Sequence, residues 1–367
     1  MILTDIRQKI LNATEKFNLA KDSHIRTWDN YFFQYNKAFL ILLKDSVACK
    51  YSTNCKFMPF MFLFRHSMEL WVKHVFKVNN GKESDVLYTS HDVNAFIQEQ
   101  ADECKEVLNA LLPLQKDIEG ACWRYPMDRN GSLYFSKNEK IDSYDACVKY
   151  INFINSINIL QKDYNIDGIG SKRLHWELQF HSCDCMTMGQ AATQYDFALA
   201  RIVDAIINDD VSINSIYLPI LFLLRHTLEL KLKQGIINLG NIVNENDRKQ
   251  ISSEHSVKKL YEIFASFINR AIAKVSDSEL KKESKQLRDL TVEYKDVIND
   301  IDAKSFSFRY PFDKKGNISN FKPRKDNVVK TLDLYIKTDT FLCFATEVLM
   351  REGVLEVGDD ILGALFN

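Results

Sequence analysis

Two apolar stretches of this 367-residue chain run directly into an arginine followed by a histidine. The stretches are MPFMFLFRHSMELWVKHVF and LPILFLLRHTLELKLKQGI, and they place Arg65-His66 and Arg225-His226 160 residues apart. An arginine guanidinium can hold a phosphate through a fork of donors, and a histidine can exchange a proton near neutral pH. These four residues are therefore the candidate catalytic residues of the sequence, and phosphate or acid–base chemistry is what they could carry.

Further charged residues follow each Arg-His pair at four-residue steps, which places them on one face of a helix. They are Glu69 and Lys73 in the first copy, and Glu229 and Lys233 in the second. A solvent-exposed ladder of this kind would contribute only about 0.3–0.5 kcal/mol per pair. However, the surrounding stretch is apolar on every face, which is typical of a buried helix. We therefore expect the charges to be partly buried and to need partners.

An RYPxD motif also occurs twice, in WRYPMDRNGSLYF and FRYPFDKKGNISNF, and it offers those partners. We expect one network in each half, between the Arg-His helix and the RYPxD loop of the same half. Two roles stay open for such a network: a polar clasp that fixes the loop, or a site for phosphate. The candidate phosphate-binding or supporting residues are Glu69, Arg124, Tyr125, Asp128, Glu229, Arg309, Tyr310 and Asp313.

A third repeated block places a histidine after a polar loop, in TSHDVNAFIQE from Thr89 and SEHSVKKLYEI from Ser253. We interpret His91 and His255 as capping or packing residues at the start of helices rather than as catalysts. Three blocks that recur in the same order indicate a tandem duplication.

The composition favours a mainly helical protein, because 12 glycines and 6 prolines leave little material for many tight turns. The predicted fold class is all-α, with two helical bundles. The predicted units are residues 1–162, a linker or short hairpin over 163–189, and residues 190–367. The net charge of −1 excludes a global attraction to nucleic acid or to an anionic membrane, so such contacts would need a local patch.

Four soft ligands, His175, His181, Cys183 and Cys185, lie within eleven residues, but their spacing matches no standard zinc finger. We favour free cysteines and predict no metal and no cofactor. The alternation in HWELQF predicts a strand at the same place. The apolar runs are too short to span a bilayer, and the N-terminal residues lack the order of a signal peptide. We expect a cytoplasmic protein with reduced thiols and no membrane partner.

The repeated motifs together resemble the HEPN superfamily of small helical domains. The resemblance rests on the Glu-Lys helices, on the loops Ser90-His91-Asp92 and Glu254-His255-Ser256, and on the two RYP segments. It implies helical bundles that pair, with a functional groove at the pairing interface. Here the two HEPN-like halves would form a pseudo-dimer, and the chain could pair again as a homodimer.

The resemblance also implies two alternative functions. Many HEPN domains are metal-independent endoribonucleases of bacterial defence or toxin–antitoxin systems, which act on RNA. Others are non-catalytic modules that bind a nucleotide, a nucleic acid or a partner protein such as an antitoxin. Catalytic members carry Arg, four to six residues and then His near the start of a late helix. This chain departs from that pattern, because only Arg248 and His255 have suitable spacing and the first half has Ser84 in place of the arginine.

Overall fold

The computed structural model describes residues 2–20, 25–48, 52–80, 85–135, 139–157, 177–179, 187–239, 251, 253–292, 305–319, 321 and 324–354. This part of the chain is predominantly helical, which confirms the predicted all-α class. Its α-helices are α1 (Ile2–Asn12), α2 (Trp28–Val47), α3 (Phe57–Asn80), α4 (Asp85–Thr89), α5 (Asp102–Leu111), α6 (Tyr144–Ser156), α7 (Met188–Ile207), α8 (Tyr217–Ile237), α9 (Val257–Ile272), α10 (Ser278–Val292), α11 (Ser305–Arg309) and α12 (Asn327–Arg351).

Two short strands, β1 (Lys140–Asp142) and β2 (Glu177–Gln179), pair in antiparallel register with Ile141 opposite Leu178. Strand β2 lies in HWELQF, so the strand predicted there is confirmed. The rest of the predicted linker up to residue 186 falls outside the described residues. The four candidate metal ligands, His175, His181, Cys183 and Cys185, fall outside them as well.

The two Arg-His helices, α3 and α8, form the centre of the molecule. Residues 57–70 of α3 and 217–230 of α8 are buried on every face, as their apolar sequence predicts. The rings of Phe62 and Phe222 stack with their centroids 4.5 Å apart and an interplanar angle of 20°. The hydrophobic core is therefore continuous from one half of the chain to the other.

Helices α2 and α7 flank this centre, and each packs against both α3 and α8. One glutamine on each of these helices bonds to the Arg-His helix of the other half of the chain. The side-chain oxygen of Gln34 accepts from the backbone N–H of Leu218 at 3.0 Å, and that of Gln194 accepts from the N–H of Met58 at 2.9 Å. Each glutamine thus satisfies a free N–H in the first turn of the other half's Arg-His helix.

The N-terminal helix α1 packs on helices that come much later in the chain, α7 and α12. The ammonium of Lys9 on α1 lies 2.7 Å from a carboxylate oxygen of Asp204 on α7. The first predicted unit, residues 1–162, therefore contributes a helix to the packing of the second, residues 190–367.

The two RYPxD motifs end in matching tight turns, as their Asp and Gly residues predict. Gly131 and Gly316 take left-handed backbone conformations with φ of 82° and 77°. In the first turn, Oδ1 of Asp128 accepts from the backbone N–H groups of Asn130 and Ser132, both at 2.8 Å. These turns close the loops that carry Arg124 and Arg309.

Candidate functional site

Glu69 lies at the centre of a buried polar cluster built on α3, which we call the first cluster. Nη1 of Arg65 donates to its Oε2, and Nζ of Lys73 lies 3.2 Å from its Oε1. Burial alone would raise the pKa of Glu69, but Lys73 and Arg65 together hold that pKa well below its usual range. Glu69 is therefore an ionised carboxylate inside the core, stabilised by two cations on its own helix.

Tyr310 and His91 complete the first cluster. The hydroxyl of Tyr310 donates to Oε1 of Glu69 at 3.0 Å, and Nδ1 of His91 lies 2.9 Å from the same oxygen. An ionised carboxylate can only accept hydrogen bonds, so Nδ1 of His91 carries the hydrogen in this arrangement. That tautomer leaves Nε2 of His91 with a free lone pair.

The second cluster repeats this arrangement around Glu229 on α8. Arg225 donates to Oε2, and Nζ of Lys233 lies 3.2 Å from Oε1. The hydroxyl of Tyr125 donates to Oε1 at 3.0 Å, and Nδ1 of His255 lies 2.9 Å from it. Burial again opposes ionisation, yet Arg225 and the neighbouring histidines hold the pKa of Glu229 well below its usual range. His255, like His91, keeps the lone pair on Nε2.

The expectation of a separate network in each half is wrong, because the RYP segments are exchanged. Tyr310, from the second half, completes the cluster around Glu69, and Tyr125, from the first half, completes the cluster around Glu229. The RYP segments are exchanged because side chains of each half bond to the backbone at the RYP segment of the other half. For example, the hydroxyl of Tyr35 on α2 donates to the carbonyl of Phe308 at 3.0 Å.

The expectation that the RYPxD carboxylates join these networks is also wrong, because Asp128 and Asp313 bond within their own turns. Oδ1 of Asp313 accepts from the backbone N–H groups of Lys315 and Asn317, and Asp128 closes its own turn in the same way. Short carboxylate side chains in such turns bond to nearby backbone N–H groups in preference to distant side chains. The arginines of the motifs, Arg124 and Arg309, are left without these partners.

The histidines of the Arg-His pairs, His66 and His226, are almost fully buried, with 2% and 1% of their surface exposed. Nε2 of His66 donates to the carbonyl of Arg309 at 3.1 Å, and Nε2 of His226 donates to that of Arg124 at 2.8 Å. Burial lowers the pKa of His66 to about 4, although Glu69 opposes the shift. Both histidines thus hold the exchanged RYP backbone in place, and their predicted catalytic role stays a prediction.

A cavity of about 580 Å³ lies where the two RYP segments meet. Aromatic and apolar side chains such as Phe222 and Met188 form part of its wall. The cationic and histidine side chains of its wall come from both halves and include His91, Arg124, Arg225, His226, His255 and Arg309. Three carboxylates, Asp117, Glu119 and Asp128, also line it.

Arg124 and Arg309 present partly buried guanidinium groups to this cavity. Among the described residues, neither guanidinium has a carboxylate or hydrogen-bond partner, and both lie against aromatic rings. Arg124 lies over Tyr125 at 5.5 Å, and Arg309 over Tyr310 at 5.4 Å. Burial and repulsion by Arg124 lower the pKa of Arg309. Burial acts in the same direction on Arg124, but the neighbouring tyrosines and Glu229 raise its pKa overall. Two like charges held close together in a cavity favour an anionic ligand between them.

Of the two roles predicted for His91 and His255, capping or packing, the capping role is wrong, because the caps are the next residues. Both rings do pack, His91 against Tyr310 and His255 against Tyr125, with centroids 5.4 Å apart in each pair. The carboxylate of Asp92 accepts from the N–H of Asn94, and the hydroxyl of Ser256 accepts from the N–H of Lys259. The histidine side chains turn instead to the glutamates and the cavity. Their recurrence in matching blocks was the sequence signal that could have identified them.

Within the described residues, no group of three or more His, Cys, Asp or Glu side chains is placed to hold a metal ion. In the same part of the chain, no helix combines the length and the apolar character that a membrane span requires.

The chain was compared with protein-family models, with curated proteins and with solved structures, and none of the three comparisons gives a match.

Proposed function

We propose that this protein binds RNA in the cavity between its RYP segments and cleaves it as a metal-independent endoribonuclease. The observation that carries the proposal is the pair Arg124 and Arg309, whose guanidinium groups face one cavity without a carboxylate partner among the described residues. A phosphodiester anion could pair with both guanidinium groups, since planar guanidinium groups bind phosphate oxygens through two parallel hydrogen bonds.

The reaction that suits these groups is transfer of the phosphate to the neighbouring ribose hydroxyl. The 2′-oxygen loses its proton and forms a bond to phosphorus, while the bond from phosphorus to the 5′-oxygen breaks and that oxygen takes up a proton. The products are a 2′,3′-cyclic phosphate and a 5′-hydroxyl. Arg124 and Arg309 would stabilise the negative charge that builds on the phosphate oxygens in the transition state.

We also propose that the two halves are HEPN-like bundles arranged as a pseudo-dimer. Contacts that recur 160 residues apart support this arrangement, such as those of Gln34 and Gln194 with the opposite Arg-His helix. A groove shared by the paired halves would then be the cavity itself. By the same resemblance, the protein would serve a bacterial defence or toxin–antitoxin system, with an antitoxin or other protein as its partner.

The second candidate function is a non-catalytic module that binds a nucleotide or a nucleic acid. The buried state of His66 and His226 favours it, because side chains with 2% and 1% exposure that bond to backbone carbonyls are poorly placed to exchange protons with a ligand. Binding through Arg124 and Arg309 would need no such exchange.

The test compares wild type with an Arg124→Ala/Arg309→Ala variant, in excess chelator, on single-stranded RNA. Circular dichroism checks the fold, and Arg351→Ala is the control, since Arg351 is 74% exposed near the end of α12. We expect the double variant to lose at least about 100-fold in cleavage rate and the control to lose nothing. RNA binding without cleavage, abolished in the double variant, would favour the binding module. Undiminished cleavage or binding in the double variant would overturn both candidate functions.

A further inference from the structure

The two halves place different side chains at one equivalent position of the cavity wall. The backbone carbonyl of Ala121 accepts from the N–H of Tyr125 at 2.9 Å. The carbonyl of Phe306 accepts from the N–H of Tyr310 at the same distance. Ala121 and Phe306 are therefore equivalent residues, and both line the cavity. Where the second half has a phenyl ring, the methyl group of Ala121 leaves room for a flat group of similar size.

Tyr134 and Ser319 are a second pair of equivalent residues that differ. The N–H of Tyr134 donates to the carbonyl of Pro126 at 3.1 Å, and that of Ser319 to the carbonyl of Pro311 at 2.9 Å. Ser319 is buried, and its hydroxyl accepts from the N–H of Phe321 at 3.3 Å. Tyr134 instead lines the cavity, and its hydroxyl makes no hydrogen bond to any described residue. The first half thus presents a phenolic hydroxyl to a ligand.

Asp117 supplies a carboxylate of fixed orientation to the same side of the cavity. Its Oδ2 accepts from the N–H of Ala121 at 2.8 Å, and its Oδ1 from that of Cys122 at 2.9 Å. A carboxylate has about four acceptor sites, so these two bonds hold the group in place and leave sites for a ligand. Burial raises the pKa of Tyr134 to about 12, and the charge of Asp117 adds to the shift. The hydroxyl is therefore a donor that lies close to this carboxylate.

An apolar side chain and the phosphate-binding arginine lie beside these polar groups. Ile118 follows Asp117 and lines the cavity with 62% of its surface exposed. The carbonyl of Ala121 accepts from the N–H of Arg124 at 2.8 Å, one turn later in the chain. Side chains three residues apart in a helical turn have Cβ atoms about 5–6 Å apart. A flat ring over Ala121 would therefore lie next to a phosphate held by Arg124.

We propose that the cavity takes a guanine base over Ala121, beside the bound phosphate, and that Asp117 and Tyr134 select this base. The inference rests on the proposed function and names the nucleotide that the cavity would accept. It assigns the base to the first half's side, where Ala121 leaves the room that Phe306 fills on the other side.

The hydrogen-bonding groups of guanine match these two side chains. One edge of guanine presents two adjacent N–H donors, at N1 and N2, and then the acceptor O6. The two donors suit the carboxylate of Asp117, and O6 suits the hydroxyl of Tyr134. Adenine and cytosine present a ring nitrogen acceptor beside an amino donor, and uracil presents one N–H between two carbonyls. Each of these bases would place an acceptor against the carboxylate, which cannot donate to it.

Isothermal titration calorimetry with wild-type protein tests the selection of the base. The probes are the 5′-monophosphates of guanosine, inosine and adenosine, and inorganic phosphate. Inosine monophosphate differs from guanosine monophosphate only in its lack of the 2-amino group, which removes one donor to the carboxylate. We expect guanosine monophosphate to bind about 10–100-fold more tightly than either of the other nucleotides.

Two variants test the place of the base. Ala121→Phe introduces the ring that the second half carries at the equivalent position, and it should abolish the preference for guanosine monophosphate without changing the binding of inorganic phosphate. Tyr134→Phe removes only the hydroxyl and should weaken the binding of guanosine monophosphate about 2–10-fold. Arg351→Ala is again the exposed control and should bind every probe as wild type does. Circular dichroism checks the fold of each variant, and Tyr134→Phe decides alone if Ala121→Phe does not fold.

The proposed function and this inference fail in different ways. A guanine preference that folded Ala121→Phe loses, in a wild type that does not cleave RNA, would leave the inference standing and the proposed cleavage wrong. Equal affinities for the three nucleotides, or no binding of guanosine monophosphate, would overturn the inference even if the protein cleaves RNA. A preference that folded Ala121→Phe keeps, or an affinity for guanosine monophosphate that Tyr134→Phe leaves unchanged, would overturn it as well.

Discussion

The hydroxyl of Tyr125 lies 3.0 Å from Oε1 of Glu229, although the two residues are 104 positions apart. The reciprocal contact joins Tyr310 to Glu69, also at 3.0 Å and across 241 positions. Each carboxylate thus obtains its tyrosine from the opposite half of the chain. Neither cluster is complete in a single half, so the cavity and its clusters depend on the way the halves pack.

Loss of one exchanged hydroxyl should destabilise the fold measurably. Tyr310→Phe removes a donor to the ionised, buried Glu69, and a hydrogen bond to a charged group contributes about 1.5–3 kcal/mol. We expect the free energy of unfolding in urea to fall by that amount. Tyr134→Phe is the control, because its hydroxyl makes no hydrogen bond to any of the described residues. Similar losses in both variants would contradict the role given to the hydroxyl of Tyr310.

The close packing of Gly120 on Arg65 gives a second prediction. Gly120 has φ of 64°, and a Cβ at this position would collide with Arg65, whose guanidinium is fixed by Glu69. Gly131 has φ of 82° but has no atom within 4 Å of its would-be Cβ. Gly131→Ala should therefore lower the free energy of unfolding by only about 1–2 kcal/mol, the cost of a left-handed backbone at a residue with a Cβ.

The same change at Gly120 has this backbone cost and a steric cost as well. Gly120→Ala should lower the free energy of unfolding by about 1–3 kcal/mol more than Gly131→Ala does, because the added Cβ crowds a closely packed site. Chemical unfolding of both variants measures the difference. Equal losses would mean that the backbone at Gly120 moves away from Arg65 without cost.

Local features of this fold were predictable from sequence, but the exchange between the halves was not. The burial of α3 and α8 follows from residues that are apolar on every face, and the turns after RYPxD follow from Asp and Gly. The partner of Tyr125 depends on long-range contacts, such as the stacking of Phe62 on Phe222 and the anchoring of the RYP backbone. Motif spacing carries no information about which copy of a repeat supplies a side chain.

The candidate site shows the same limit. Arg124 and Arg309 were predicted as phosphate-binding or supporting residues, but Asp128 and Asp313 were expected in the same networks. Only the packed structure places both guanidinium groups at one cavity without those partners. The contact of Gly120 with Arg65 is a further example, because the left-handed glycine is a local feature but its packing on an arginine of α3 is not.

A buried lysine outside the clusters gives a third prediction. Lys56 has no exposed surface, and its Nζ has no hydrogen-bond partner among the described residues. Burial lowers its pKa from 10.5 to about 8, although Asp45 opposes the shift. Below pH 8 the lysine is charged in both the folded and the unfolded protein, so the folded protein is destabilised by the full cost of burying the charge. That cost disappears as the pH rises from 8 to 10.5.

Replacement of this lysine should therefore stabilise the protein. Lys56→Met keeps the length of the side chain without the charge, and at pH 7 it should raise the free energy of unfolding by up to about 3 kcal/mol. Above pH 10.5 the part of the gain that comes from the charge should vanish, which leaves only the smaller gain from removing a buried amine without a hydrogen-bond partner. Lys274→Met, at an exposed position, should change stability little at either pH. A gain at Lys56 that is independent of pH would contradict the electrostatic explanation.

Acid should weaken the protein through His66 before the glutamates of the clusters are protonated. Burial lowers the pKa of His66 from 6.5 to about 4, so its contribution is fully present above pH 6.5. As the pH falls from 6.5 towards 4, the unfolded state binds a proton that the folded state does not. The free energy of unfolding should then decrease by about 3 kcal/mol over this range. Protonation of His226, whose pKa burial also lowers, acts in the same direction.

Variants separate this contribution from the other titrations. His66→Gln cannot bind the proton, so its unfolding free energy should be lower at pH 7 but should depend less steeply on pH between 6.5 and 4. Val78→Gln, at an exposed position of the same helix, removes no titratable group and should keep the wild-type slope. Urea unfolding at a series of pH values gives these slopes. If His66→Gln keeps the full slope, the acid sensitivity has another source, and His66 does not stay neutral in the folded state.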